Sequence, residues 1–185
     1  MTNKLHPLQQ ISFTHANQAY VVEASAGTGK TWTIERLFIK ALLEATQPDN
    51  LLIPLAIENI LVVTFTNDAT DELKQRISEQ IQTTINQIIY LNNQFEQEQI
   101  PENNQDIFLE YLLARQTNSA VNSRKELFLQ DLTLLTRALQ NFDQAAIYTI
   151  HGFCNRILQD YQFECQSPTE FELLASKTQL IDELV

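Results

Sequence analysis

The stretch Val21-Val22-Glu23-Ala24-Ser25-Ala26-Gly27-Thr28-Gly29-Lys30-Thr31 decides how this chain is read. It follows the pattern G-x-x-x-x-G-K-[ST], except that Ala24 stands where the first glycine belongs. Gly27 and Gly29 let backbone N–H groups turn inward around an anion. A helix opening just after them adds its free N–H groups and its dipole. Lys30 then supplies a point charge for the β- and γ-phosphates, and the Thr31 hydroxyl is placed to ligate Mg²⁺. The ligand implied is a nucleoside triphosphate. The chain has three glycines, two of them here and the third at Gly152, so it reserves glycine for special backbone work.

The flanks fit the same reading. Residues 19–24 read as a buried strand. After Trp32, the apolar residues Ile34, Leu37, Phe38, Ala41 and Leu42 follow helical spacing and predict a packed helix. A second buried strand is expected at 60–66, where Val62 and Val63 lie in a continuous apolar run. Asn67 or Asp68 can cap the helix after it, in which Ala69, Leu73, Ile77, Ile81, Ile85 and Ile88 recur about every four residues. Residues 92–106, rich in Asn, Gln and Glu, read as a polar linker.

Helices are expected at about 106–116 and 120–141, the second with Leu127, Leu132, Leu135 and Leu139 on its apolar face. A third strand is expected at 145–150, followed by a helix over about 151–162 with Phe153, Ile157, Leu158 and Tyr161 on one side. A short strand at 171–174 and a helix opened by Ser176 and Gln179 complete the reading. That last helix is still periodic at Val185, so the chain is read as a piece of a longer one. Strands alternating with helices imply an α/β fold, a P-loop parallel sheet with flanking helices and helical insertions. Ligands meet such sheets at the carboxyl ends of the strands.

Composition sets the outer bounds. A length of 185 residues suits one α/β domain and the start of another, and 44% hydrophobic content is enough for a core. No apolar run reaches membrane-spanning length, and Met1 opens no signal-peptide pattern. Two cysteines, Cys154 and Cys165, are too few for a disulfide framework, which suggests a cytoplasmic protein with reduced thiols. The net charge of −11 argues against a broad basic nucleic-acid face. It leaves room for a groove that grips a strand through backbone groups and aromatic stacking.

Three segments now stand together in order. They are the phosphate loop, Leu61-Val62-Val63-Thr64-Phe65-Thr66-Asn67-Asp68-Ala69-Thr70-Asp71-Glu72-Leu73, and Tyr148-Thr149-Ile150-His151-Gly152-Phe153-Cys154. Together they resemble superfamily 1 helicases of the UvrD/Rep type, over about residues 5–175, with wording nearest to the helicase–nuclease branch. The resemblance implies a RecA-like sheet: the first part of motor domain 1A at 1–154, with a helical insertion at about 75–141, and the start of helical subdomain 1B at 155–185. It implies that Ala24, Ser25, Ala26, Gly27, Thr28, Gly29, Lys30 and Thr31 cradle the phosphates of ATP. Lys30 stabilises the transferring charge, Thr31 holds Mg²⁺, and Trp32 lies near the nucleotide.

Gln9 falls at the place of the adenine-reading glutamine, with Gln10 and Gln18 nearby. Phe65, Thr66 and Asn67 match one single-stranded-DNA contact, and Thr149, His151, Gly152 and Phe153 match another. On the residues alone, Phe65 also suits a core, and Asn67 or His151 a helix cap.

The activity implied is ATP-driven 3′-to-5′ movement on single-stranded DNA, with unwinding and degradation of duplex ends for recombinational repair. That branch works as a heterotrimer, with two further subunits and no membrane. The family's Asp-Glu motif, which completes the Mg²⁺ site, has no match here, because Asp71 and Glu72 fall inside a helix. A family member without a nuclease, or a second helicase–nuclease lineage, would share the three segments. A self-contained P-loop nucleotide-binding protein, or a non-enzymatic adaptor on the same scaffold, is the alternative of another class.

Overall fold

The four-residue recurrence that starts at Leu73 builds the mast of the structure. In the computed structural model, which describes residues 6–13, 18–23, 25, 27, 29–44, 55–97, 106–117, 124–162 and 164, it lies on one unbroken helix, Asn67–Glu96. Leu73, Ile77, Ile81, Ile85, Ile88 and Leu91 are all buried along it. In chain order the elements are α1 (Pro7–Gln10), α2 (Lys30–Glu44), β1 (Val62–Thr64), α3 (Asn67–Glu96), α4 (Ile107–Thr117), α5 (Arg124–Gln140), β2 (Ile147–Thr149) and α6 (Ile150–Asp160). Short 3₁₀ turns at Ile57–Asn59 and Phe142–Gln144 lead into the two strands.

α3 packs against α2, α4, α5 and both strands, so the core forms around it. Phe38, Ile39, Leu42 and Leu43 reach it from α2, Phe108, Leu109 and Leu112 from α4, and Leu135 and Ala138 from α5. β1 and β2 pair in parallel with Val62 opposite Ile147, Val63 opposite Tyr148 and Thr64 opposite Thr149. The helical crossover between them is long, as a parallel pair requires.

Several expectations shift. Residues 19–23 form no strand and are exposed, with Val21 at 90% of its full accessibility. Ala24 lies outside the described residues. The second strand keeps only the middle of its expected run, and Leu61 and Val63 turn an open apolar face to solvent. Burial on both faces needs a strand or helix on each side. Among the described residues β1 has one strand neighbour.

On α2 the predicted Phe38, Ala41 and Leu42 are buried and Leu37 packs on the core, but Ile34 is exposed and the buried face widens to take in Glu35, Ile39 and Leu43. The polar linker begins later than composition suggested, because Leu91 is buried and Phe95 packs on the core, carrying α3 to Glu96. The Arg124 guanidinium sits 4.3 Å over the Phe95 ring and ties that helix end to α5. α6 buries none of its residues, so the apolar side expected of it stays half open. The strand at 171–174 and the helix after Ser176 lie outside the described residues.

Candidate functional site

The phosphate-loop sequence ends in a real helix start. Gly27 and Gly29 have φ of 76° and 82°, a backbone region costly for any residue with a Cβ. Among the described residues, a Cβ on Gly27 would meet nothing within 4 Å, and one on Gly29 the Trp32 Cβ at 3.9 Å. Glycine is therefore required here for backbone conformation and not for space. The Thr33 N–H donates to the Gly29 carbonyl at 2.9 Å, which closes the first turn of α2. Lys30 stands exposed at the first position of this 15-residue helix, with Thr31 half-buried behind it. Ser25 is exposed; Ala24, Ala26 and Thr28 lie outside the described residues.

Trp32 is held on both sides. The Arg36 guanidinium lies 3.9 Å from its ring centre and donates to its carbonyl at 3.2 Å. The His6 ring meets it edge-on, 5.5 Å between centroids at 86°. His6 in turn caps α1. Its Nδ1 accepts from the Leu8 N–H at 3.3 Å, and its own N–H donates to the Gln9 Oε1 at 3.2 Å. This reciprocal cap is possible because Gln9 occupies the third helical position. Gln9 is thus placed on a turn seated beside the start of α2, while its side chain remains at the surface. A cleft of about 590 Å³ opens between α1 and residues 20–23, with Gln10, not Gln9, on its wall.

The other two segments meet at one sheet end. Thr64 and Thr149 are partners on the last rung of the β1–β2 pair. Just past them, Thr66 accepts from the Ala69 N–H at 3.2 Å and caps α3. Thr149 accepts from the Gly152 N–H at 3.0 Å and caps α6. The caps are therefore threonines. Asn67, Asp68 and His151 are not caps, which leaves Asn67 and His151 exposed with side chains not used in that way.

Phe65 is 87% exposed, so it is not core. Phe153 is half-buried against Tyr148, 6.5 Å between ring centroids. Gly152 sits in a tight place: a Cβ there would lie 3.1 Å from the Thr149 Oγ1, so that hydroxyl would have to give way.

Residues 64–67 and 149–153 thus share one edge, at the carboxyl ends of both strands. The phosphate-loop helix reaches them through α3. Glu35, buried on α2, accepts from Arg36 at 3.3 Å and faces Arg76 of α3 at 3.6 Å; Arg76 also holds Glu72 at 2.7 Å. Glu35, Arg36, Lys40 and Arg76 played no part in the sequence reading. For Glu35 and Lys40 the one sequence signal was charge placed among the apolar residues of α2; Arg76, on the open face of α3, gave none. Among the described residues no group of three His, Cys, Asp or Glu side chains could hold a metal ion.

Comparison with known proteins places the chain in a family. The model of the UvrD/REP helicase N-terminal domain matches residues 5–185. RecBCD enzyme subunit RecB of Haemophilus influenzae is 38% identical over 175 residues, 95% of this chain and 13% of that protein. The RecB subunit of Escherichia coli K12 is 35% identical over 160 residues, 86% of this chain and 12% of that protein. That of Chlamydia pneumoniae is 34% identical over 142 residues, 77% of this chain and 11% of that protein. The chain thus spans 11–13% of the length of these relatives. With the glycine turn, the helix start and the paired threonine caps all lying within the matched residues, the chain belongs to the UvrD/REP helicase N-terminal domain family.

Proposed function

We propose that this chain is the ATP-binding beginning of a RecB-type subunit, an ATP-dependent DNA helicase and exonuclease that processes double-stranded ends for recombinational repair. The observation that carries the reading is the pair of positive-φ glycines opening α2 with Lys30 in its first turn. In this reading Ala24 through Thr31 wrap the phosphates, Lys30 stabilises charge on the transferring group, and Thr31 holds Mg²⁺. Gln9 reads the adenine, and Trp32 borders the nucleotide. Phe65, Thr66, Asn67, Thr149, His151, Gly152 and Phe153 line the single strand: Phe65 stacks a base, and the polar groups meet phosphates.

The fold of the whole motor is RecA-like. Residues 1–154 belong to domain 1A, with the helical insertion at about 75–141, and 155–185 begin subdomain 1B. Residues 19–24 become a sheet strand in the whole motor. The open apolar faces of Val21, Val63 and Leu61 support that. The partners are DNA ends and the RecC and RecD subunits, in the cytoplasm. Among the described residues no helix is long and apolar enough to cross a membrane.

This segment alone should hydrolyse ATP negligibly, since it supplies Thr31 to Mg²⁺ but no strand-end Asp-Glu pair. The test is to incubate the full-length protein, with its partner subunits, with blunt-ended duplex DNA, ATP and Mg²⁺. Unwinding and degradation that vanish in Lys30→Ala support the proposal. Unwinding without degradation would indicate a UvrD/Rep-type helicase, and unwinding with degradation that does not depend on RecC and RecD would indicate the AddA-type helicase–nuclease lineage. No ATP-dependent action on DNA would refute the motor reading.

A further inference from the structure

α1 is a single turn of four residues, too short to stand without outside support. It is fixed to α2 at two points. One is the His6 ring on Trp32, in the first turn of α2. The other is Lys40, whose Nζ donates to the Leu8 carbonyl at 2.8 Å. That carbonyl belongs to the peptide unit joining Leu8 to Gln9. The N–H of the same unit donates to the His6 carbonyl at 2.8 Å, so both ends of this peptide plane are bonded.

Lys40 itself is deeply buried, with 7% of its side chain exposed. Its Nζ lies 3.8 Å from Glu44 on the next turn and 4.9 Å from the ring centre of Tyr111 on α4. Burial lowers its pKa, the mark of a charge kept out of water at a cost. A lysine is rarely buried to satisfy a single backbone carbonyl, unless the position of that turn matters. Lys40 stands ten residues beyond Lys30 on one straight helix, a rise of about 15 Å. It therefore fixes where Gln9 sits along the same rod that carries the phosphate-binding lysine.

We infer that Lys40 is a positioning residue for base selection: by holding the Leu8–Gln9 peptide it sets the distance between the base-reading glutamine and the phosphate loop. This rests on the reading of Gln9 and Lys30 as nucleotide contacts. A bidentate amide–adenine contact tolerates little displacement, whereas phosphate binding at the helix start does not depend on α1.

The experiment measures competition for a fluorescent ATP analogue on the full-length protein, with ATP, GTP and inorganic tripolyphosphate as competitors. Lys40→Met keeps the packing and removes the donor. The expected result is a fall in ATP-over-GTP preference of roughly tenfold, the scale of one lost bidentate base contact. Tripolyphosphate affinity should stay unchanged, and Lys40→Arg should restore part of the preference. If Lys40→Met fails to fold, Lys40→Gln is read by the same criterion, since it is too short to reach Leu8.

Preference retained, or lost in step with tripolyphosphate affinity, overturns the inference. Failure of the underlying reading looks different. In that case Gln9→Ala leaves the wild-type ATP-over-GTP preference unchanged, or Lys30→Ala leaves ATP and tripolyphosphate binding unchanged.

Discussion

Thr64 and Thr149 face each other on the last rung of the parallel strand pair, and two residues past Thr64 and at Thr149 itself a threonine opens the next helix. A parallel pair in register brings the two chain exits to one edge. The caps then fix the angle at which each chain leaves the sheet.

The cap at Thr149 and the glycine three residues on act as a unit. Thr149→Ala removes the acceptor for the Gly152 N–H and should cost about 1 kcal/mol in urea denaturation. Gly152→Ala gains helix propensity of up to about 1 kcal/mol but places a Cβ 3.1 Å from the Thr149 Oγ1. It should therefore be neutral or destabilising alone, and stabilising in the Thr149→Ala background. Simple additivity of the two changes would contradict this coupling.

Asp131 of α5 is fully buried, and Arg115 of α4 grips it through two bonds, at 2.9 and 2.7 Å. Arg115→Met leaves that carboxylate uncompensated and should destabilise by about 3–5 kcal/mol. Arg115→Met with Asp131→Leu should recover most of the loss. Chemical denaturation of the three variants checks it; a double variant no better than the single one counts against the pair.

Burial, and then the Glu44 charge, push the Tyr111 phenol far above its usual range. The sign follows from proton counting. Below about pH 10 both folded and unfolded chains keep the phenol proton, and above it the unfolded chain loses its proton first. Stability should fall as pH rises through that window, and Tyr111→Phe should flatten the fall. Lys40, lowered by burial, acts with the opposite sign below its own usual value of about 10.5. The wild-type and Tyr111→Phe urea midpoints, compared on both sides of pH 10, cancel that shared contribution. Parallel curves would show that Tyr111 is not the group responsible.

Phe65 touches too little of the core to stabilise it. Phe65→Ala should change stability by less than about 0.5 kcal/mol. If it stacks a base, the same change should weaken single-stranded-DNA binding by about 1–3 kcal/mol in the full-length protein. Fluorescence anisotropy with a labelled oligonucleotide measures it, and unchanged affinity would remove Phe65 from the proposed DNA path.

Gly27 and Gly29 predict a loop effect separate from the fold. Alanine at either position adds about 1–2 kcal/mol of backbone strain in the left-handed region. Nucleotide binding should weaken accordingly, while the urea midpoint of the core stays put because the loop is exposed. The fluorescence of Trp32, the sole tryptophan, can report both.

Elements whose signal is local could be read from neighbouring residues alone. The stretch from Gly27 to Lys30 is a run of adjacent residues, so its two special glycines and the helix that starts at Lys30 were legible at once. The spacing from Leu73 to Ile88 names a buried helical face, because side chains four apart stack on one side. The two strands were placed correctly in order and pairing class, though longer and more buried than they are.

The tertiary structure alone decided which polar groups meet. Threonine, and not Asn67 or His151, takes each cap, because capping depends on the backbone angle at the strand exit. The ends of 64–67 and 149–153 come together through a register that no local pattern encodes. Lys40 reaches Leu8 across thirty-two positions in sequence. A buried charge is a mismatch in its own helix pattern, and its partner is chosen only when helices pack. Residues 19–22, largely apolar yet exposed, show the same limit: a strand sequence becomes a strand only when a neighbouring edge supplies its hydrogen bonds.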